Sequence, residues 1–254
     1  MPPLNHLQHR WAVETMITSY NHVYQVVFKT NYHNMGVISV SDYKDAPIAS
    51  FQLEFLAMQD DPKKVVRAIK KYKVKGRKYV LNVFHEMPSA RTIKEKYAEY
   101  GLDFIRTGPI LGIDIPVPVH GDVSRIQKIT TMEQLDEANN QLKAEGESIP
   151  VETLSDPHIH NFVAEWKGKV VGWTQLVTAF PGSGYIHQLY TLKDFRNNRI
   201  GTSLMVRAHF ECAELGIQRM ALVSSDMALG LYRRLGYRPL VYFTAFRPKE
   251  DVPS

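Results

Sequence analysis

The sequence predicts an α/β (α+β) fold in two similar halves, and three observations carry that expectation. Residues 184–247 alternate short apolar runs with helical stretches, in the order strand, turn, helix, strand, short helix, strand. A fainter copy of that order lies upstream, between Gly36 and Leu102. A chain of 254 residues suits two moderate domains, each able to bury its own core.

In the first half, Gly36-Val37-Ile38-Ser39-Val40 stands where Lys169-Val170-Val171-Gly172-Trp173 stands in the second. Asp61 and Pro62 are cap and first-turn residues for a helix with Val65, Val66 and Ile69 facing inward. Tyr79 to Phe84 reads as a strand and Ala90 to Lys96 as a helix. Tyr97-Ala98-Glu99-Tyr100-Gly101-Leu102 then aligns with Tyr232-Arg233-Arg234-Leu235-Gly236-Tyr237. The alternate prolines of Ile115 to Gly121 exclude regular helix and mark a linker. The expected division is a first domain at 1–115, a linker at 116–121 and a second domain at 122–254.

The second half reads as a strand from Arg125 to Thr130 and a helix from Thr131 to Ala144 capped by Thr131. The segment from Glu145 to His160 is polar and contains Pro150 and Pro157. Strands follow at Phe162 to Trp166 and Val170 to Ala179, around the turn Lys167-Gly168-Lys169. Tyr185 to Leu192 is rich in aromatic and branched residues, and strict alternation would put Tyr185, His187, Leu189 and Thr191 on one face. From Ile200 the apolar residues Leu204, Ala208, Cys212 and Leu215 recur at steps of three and four. Gly216 follows where a left-handed stop is expected. Gln218 to Val223 has the apolar density of a buried strand, and Asp226 is placed to cap a short helix.

Between the 185–192 strand and the helix at 200 lies Arg196-Asn197-Asn198-Arg199-Ile200-Gly201-Thr202. Its amides form the unpaired first turn of a helix, which attracts phosphate oxygens. This turn and Ala228-Leu229-Gly230-Leu231-Tyr232-Arg233-Arg234-Leu235-Gly236-Tyr237 together resemble the acyl-coenzyme-A-binding half of the GNAT superfamily of N-acetyltransferases. The family turn runs Gln/Arg-x-x-Gly-x-Gly/Ala: Arg196 and Gly201 fill its ends, and Arg199 replaces the middle glycine. The later segment matches Ala-x-x-Leu-Tyr-x-x-x-Gly-Phe, with Tyr237 in place of Phe.

The resemblance implies a twisted mixed β-sheet flanked by helices, with two such domains in tandem. It also implies acetyl-coenzyme A as acyl donor, with its pyrophosphate on the amides of Arg196, Asn197, Asn198, Arg199, Ile200, Gly201 and Thr202. Leu189, Tyr190 and Thr191 would lie along the donor, with an amide near Tyr190 or Thr191 facing the acyl oxygen. Ser225 occupies the place of an Asn that touches the cofactor in many relatives. Tyr232 would protonate the departing thiolate, its alternative being simple packing under the sheet. An arginine at 199 narrows the backbone's approach to a pyrophosphate, although its guanidinium can fork onto a phosphate. In the first half Met58-Gln59-Asp60-Asp61-Pro62-Lys63 replaces the phosphate turn, with two repelling acids and a proline that lacks an amide donor.

The family often places a Glu on the strand before the turn, but this strand carries no acid. His187 is its only side chain that titrates near neutrality, and is the candidate base. The implied reaction is direct attack of a primary amine on acetyl-coenzyme A, with a small amine-bearing acceptor. The segment from Glu145 to His160 is expected to shape the acceptor pocket. Two alternatives stay open: a donor that is an aminoacyl-tRNA or a carrier-bound acyl group, and a non-catalytic module that senses coenzyme A.

Bulk properties limit the classes further. The apolar fraction is 44% and the charged fraction 22%, ordinary for a globular chain. No apolar run approaches a membrane span, and the amino terminus lacks a signal core, so the expected compartment is the cytoplasm. One cysteine, Cys212, forms no internal disulfide. His158 and His160 alternate without acidic company, so no metal is expected. The net charge is +5, and residues 1–117 carry 16 Lys and Arg against 11 Asp and Glu, while residues 118–254 carry 15 of each. Lys63 to Lys78 concentrates that excess and is a possible tRNA contact, its alternative being a solvated face.

Overall fold

The computed structural model describes residues 6–43, 51–72, 74, 76–86, 90–116 and 121–249. Its elements run α1 (His6–Phe28), β1 (Asn31–Asn34), β2 (Ile38–Asp42), β3 (Leu53–Ala57), α2 (Pro62–Lys71), β4 (Tyr79–His85), α3 (Arg91–Ala98) and β5 (Leu102–Asp114). They continue with β6 (Ile126–Lys128), α4 (Met132–Leu142), β7 (Ile159–Trp166), β8 (Lys169–Val177), β9 (Ser183–Thr191), α5 (Ile200–Glu214), β10 (Arg219–Val223), α6 (Leu229–Arg234) and β11 (Arg238–Pro248). No helix among the described residues is long and apolar enough to cross a membrane.

The chain forms two compact units that are not consecutive in sequence. One holds Met1–Val13, Phe28–Ile110 and Pro239–Ser254, the other Glu14–Val27 and Leu111–Arg238. The expected division placed 1–115 and 122–254 apart, whereas here part of α1 belongs with the later residues and most of β11 with the earlier ones. Strand pairing is the reason, because β11 runs antiparallel to β4, with Phe243 opposite Phe84 and Ala245 opposite Asn82. Of the expected linker, residues 117–120 lie outside the described residues.

In the first unit β2 pairs antiparallel with β3, and β3 parallel with β4, over the whole of β3 from Leu53–Tyr79 to Ala57–Val83. Asp61 caps α2 by accepting from the Lys64 amide at 3.1 Å, with Pro62 in the first turn. Val65 and Ile69 face inward and bury against Phe55, Leu81, Tyr97 and Phe246. The basic run is partly neutralised, with Lys64 beside Asp61 and Arg77 bonded to Asp42; Lys73 and Lys75 lie outside the described residues.

The second unit repeats that order, with β8 antiparallel to β9 and β9 parallel to β10. Thr131 and Gln134 close a capping box at the start of α4, whose Leu135, Ala138 and Leu142 pack with Val163, Val170 and Trp173. The opposite face carries the larger core: Leu204, Ala208 and Cys212 of α5 with Leu176, Ile186, Met220 and Leu222. Gly216, at φ 68°, ends α5 in a Schellman arrangement, the Ile217 amide donating to the Cys212 carbonyl at 2.8 Å and Gly216 to Ala213 at 3.1 Å. Burial pushes the Cys212 thiol up to about 12, so it acts as a core residue and not as a nucleophile.

Candidate active site

The site begins where two parallel strands part. β9 pairs with β10 from Ser183–Arg219 to Ile186–Leu222, and that pairing stops while β9 continues to Thr191. Gln188 to Thr191 keep β8 on one side, with Trp173 opposite Tyr190 and Gly172 opposite Thr191. Alternate main-chain groups on the other side therefore face an opening and not a strand. Gly172 makes the approach possible, because a Cβ there would stand 2.6 Å from the Tyr190 carbonyl oxygen. In the first unit the equivalent pair, β3 and β4, stays together throughout.

His187 sits at an irregularity in β9. Gln175 pairs with Gln188 and Leu176 with Ile186, so His187 is the extra residue of a bulge. This corrects the expected alternation: the bulge reverses the phase, leaving Tyr185 on the opposite face from Leu189 and Thr191. The His187 imidazole lies under the rings of Tyr20 and Tyr24 from α1, at 5.6 and 5.9 Å between centroids, with Tyr185 at 6.5 Å. Desolvation by this packing pushes its pKa down to about 4, so the ring is neutral at pH 7. Sequence reasoning missed Tyr20 and Tyr24, although their i, i+4 spacing on a helix was legible.

After β9 the chain makes a 3₁₀ turn, Lys193–Phe195, then enters the predicted phosphate turn. Asn197 and Arg199 both take left-handed backbone angles, φ 66° and 60°, and Arg199 is the N-cap of α5 with no side-chain cap. Arg199 therefore takes a conformation that favours glycine and preserves the shape of the turn. Holding a non-glycine residue there costs about 1–2 kcal/mol. The first-turn amides of α5 have no side-chain acceptor at the cap, an arrangement that suits an anion. Arg196 is tied back, its Nε donating to the Thr191 carbonyl at 3.2 Å and its guanidinium 6.0 Å from the Tyr190 ring centroid.

Leu189, Tyr190, Thr191 and the whole stretch Arg196 to Ser203 line one cleft of about 1220 Å³, with Ala228, Gly230 and Leu231 from the start of α6. Four arginines, Arg125, Arg196, Arg199 and Arg234, face it against Asp122, a balance that favours a polyanion. Arg125 stacks on Trp166, 4.4 Å from the ring centroid. Gly201 permits close packing of α5 and α6, since a Cβ would come within 3.3 Å of the Leu231 side chain.

Tyr232 lies one residue beyond the lining, 4% exposed, with its ring 5.8 Å from that of Tyr237. Burial pushes its phenol up to about 12. Ser225 does not line the cleft: its hydroxyl accepts from the Ala228 amide at 3.3 Å. Ser225, not Asp226, thus closes the turn before α6.

Glu145 was read from sequence as part of an acceptor segment. It accepts a hydrogen bond from the Tyr190 hydroxyl at 2.5 Å and from the Lys193 amide at 3.1 Å. Those bonds, to the Tyr190 hydroxyl and the Lys193 amide with Lys193 and Arg196 nearby, hold its carboxyl below the ordinary range despite the opposing effect of burial. No local pattern signals this contact, which spans 45 residues of sequence.

Comparison with known proteins places the same part of the chain in a family match. Residues 126–237 match the family model described as Acetyltransferase (GNAT) family. An uncharacterized N-acetyltransferase from Chlorobaculum tepidum is 30% identical over 84 residues, 33% of this chain and 53% of that protein. The chain thus spans about half the length of this curated relative. A GCN5-related N-acetyltransferase from Kribbella flavida superposes with a TM-score of 0.69 at 17% identity, covering 96% of each chain. Another from Sphaerobacter thermophilus gives 0.57 at 17% identity, covering 83% of this chain and 76% of that one.

Proposed function

Because residues 126–237 are a GNAT acetyltransferase domain, we propose that the protein is an N-acyltransferase moving an acetyl group from acetyl-coenzyme A to a primary amine of a small molecule. The observation that carries this reading is the parting of β9 from β10 after Ile186, directly before a turn whose amides and arginines suit a diphosphate. The donor would supply its acetyl group as a thioester.

The chain's own groups have distinct roles in this reading. An outward amide near Tyr190 or Thr191 donates to the negative charge that develops on the acyl oxygen. The Tyr232 hydroxyl, protonated throughout the neutral range, gives its proton to the leaving sulfur. His187 is not among the cleft-lining residues and burial makes it a weak base, so it is read as a relay on the route by which the attacking amine loses its proton. Holding both reactants in one cleft supplies much of the rate without a covalent enzyme intermediate. The first unit, whose β3 and β4 do not part and whose 58–63 segment is acidic, is read as a second GNAT-like domain without donor binding.

Calorimetric titration with acetyl-coenzyme A tests the reading, and binding at micromolar concentration is the expected result. No heat at millimolar donor, with tRNA binding that weakens steeply with salt, would transfer the role to an aminoacyl-tRNA donor. Donor binding without turnover on a broad amine panel would make the domain a sensor. For His187→Ala we expect a fall in kcat of about tenfold to a hundredfold and loss of the acid limb expected near pH 4 for the wild type. An unchanged pH–rate profile would remove His187 from proton transfer.

A further inference from the structure

We propose that Glu145 is a positioning residue that holds the end of β9 and the entry to the phosphate turn in donor-binding geometry. The inference rests on the proposed donor site and adds a residue that neither motif nor family pattern assigns to it. Its basis is mechanical. Once β9 leaves β10 at Ile186, Gln188 to Thr191 have one strand neighbour in place of two. A half-paired strand end moves more freely, yet this segment and the amides after it must be fixed within a fraction of an ångström to grip a ligand.

Two ties restrain it. The Arg196 Nε donates to the Thr191 carbonyl at 3.2 Å, which joins the strand end to the turn itself. Glu145 ties both to a separate part of the unit. It ends the 3₁₀ turn Lys143–Glu145 that follows α4, an element anchored in the core by Leu135, Ala138 and Leu142. From there Oε2 accepts from the Tyr190 hydroxyl at 2.5 Å, and Oε1 and Oε2 lie 3.1 and 3.3 Å from the Lys193 amide nitrogen. One carboxylate thus fixes the side chain of a cleft-lining residue and the first amide of the 3₁₀ turn Lys193–Phe195 that leads into the phosphate turn. Gly146, left-handed at φ 76°, caps the same 3₁₀ turn and sharply redirects the chain after Glu145. Glu145 is not among the residues that line the cleft, so it acts through Tyr190 and the Lys193 amide and not on the reacting atoms.

The test compares wild type, Glu145→Gln and Glu145→Ala by titration with acetyl-coenzyme A and by steady-state kinetics, with a melting curve for each. Expected for Glu145→Ala is a rise of about tenfold or more in donor Kd and KM, with acceptor KM and kcat within about twofold. Glu145→Gln keeps one acceptor oxygen and should recover part of the loss. A purely structural role would lower the melting temperature and the active fraction while leaving donor KM unchanged, and that outcome overturns the proposal. Equal donor affinity in all three proteins overturns it as well. If wild type itself binds no donor, the reading of the site falls and this inference with it, a result distinct from equal binding.

Discussion

Tyr232→Phe is expected to lower kcat by about a hundredfold to a thousandfold while leaving donor KM within about threefold, because it removes only the hydroxyl and little volume. The ring keeps its place in the core beside Tyr237, so the variant should fold and melt near wild type. With the phenol pushed up to about 12 by burial, the hydroxyl is protonated at any working pH and can act as an acid without prior titration. Its position beneath Ala228 to Leu231, just behind the cleft lining, makes the substitution decisive. Activity within twofold of wild type would show that Tyr232 serves packing and that solvent protonates the thiolate. Release of free coenzyme A thiol, followed with a chromogenic disulfide, measures this directly.

Glu211→Ala should give the largest loss of stability. Glu211 projects from α5 with 5% exposure and meets Lys128 of β6, Arg207 one turn earlier at 2.8 Å, and His160 of β7 at 3.5 Å. Burial raises its pKa, but the Lys128 hydrogen bond and the charges of Lys128, Arg207 and His160 outweigh that and hold it below the usual carboxylate value. Removing one partner of a buried ion pair costs about 3–5 kcal/mol. Lys128 keeps 34% of its side chain exposed and can turn to water, so a smaller cost, about 2–4 kcal/mol, is expected. That corresponds to a fall in melting temperature of about 5–10 °C for a domain of this size. A depressed folded pKa stabilises the fold above the unfolded value of about 4.5, and the benefit disappears as pH falls through the folded value. The gap between wild type and variant should therefore be full at pH 7 and narrow at pH 3 in urea unfolding. A gap that persists unchanged at pH 3 would assign the loss to packing and not to charge.

How far the site was legible in sequence depends on the range of the forces involved. The α5 helix, its Schellman stop at Gly216, the Thr131 capping box and the Asp61 cap of α2 were readable because each is settled by neighbours within about five residues. The position of the turn from Arg196 to Thr202 belongs with them, and its Arg199 takes the left-handed backbone that favours glycine. The bulge was not readable: residues 185–191 alternate acceptably on paper, and only pairing with β8 shows that His187 is the extra residue. The Asp226 cap failed for a similar reason, since Ser225 and Asp226 are both good cappers and the path of the chain favoured Ser225.

The amino-acid order alone determined which segments become helix and strand around the cleft, where the turn into α5 falls, and which tyrosine follows the Ala228 turn. Those properties arise from torsional preference, apolar period and local hydrogen bonding. Tertiary structure alone decided that β11 pairs with β4, that α1 brings Tyr20 and Tyr24 over His187, that β9 parts from β10 after Ile186, and that Glu145 reaches Tyr190. Backbone donors and acceptors are alike in every strand, so the choice of partner depends on how whole faces bury against one another, which no short window of sequence contains.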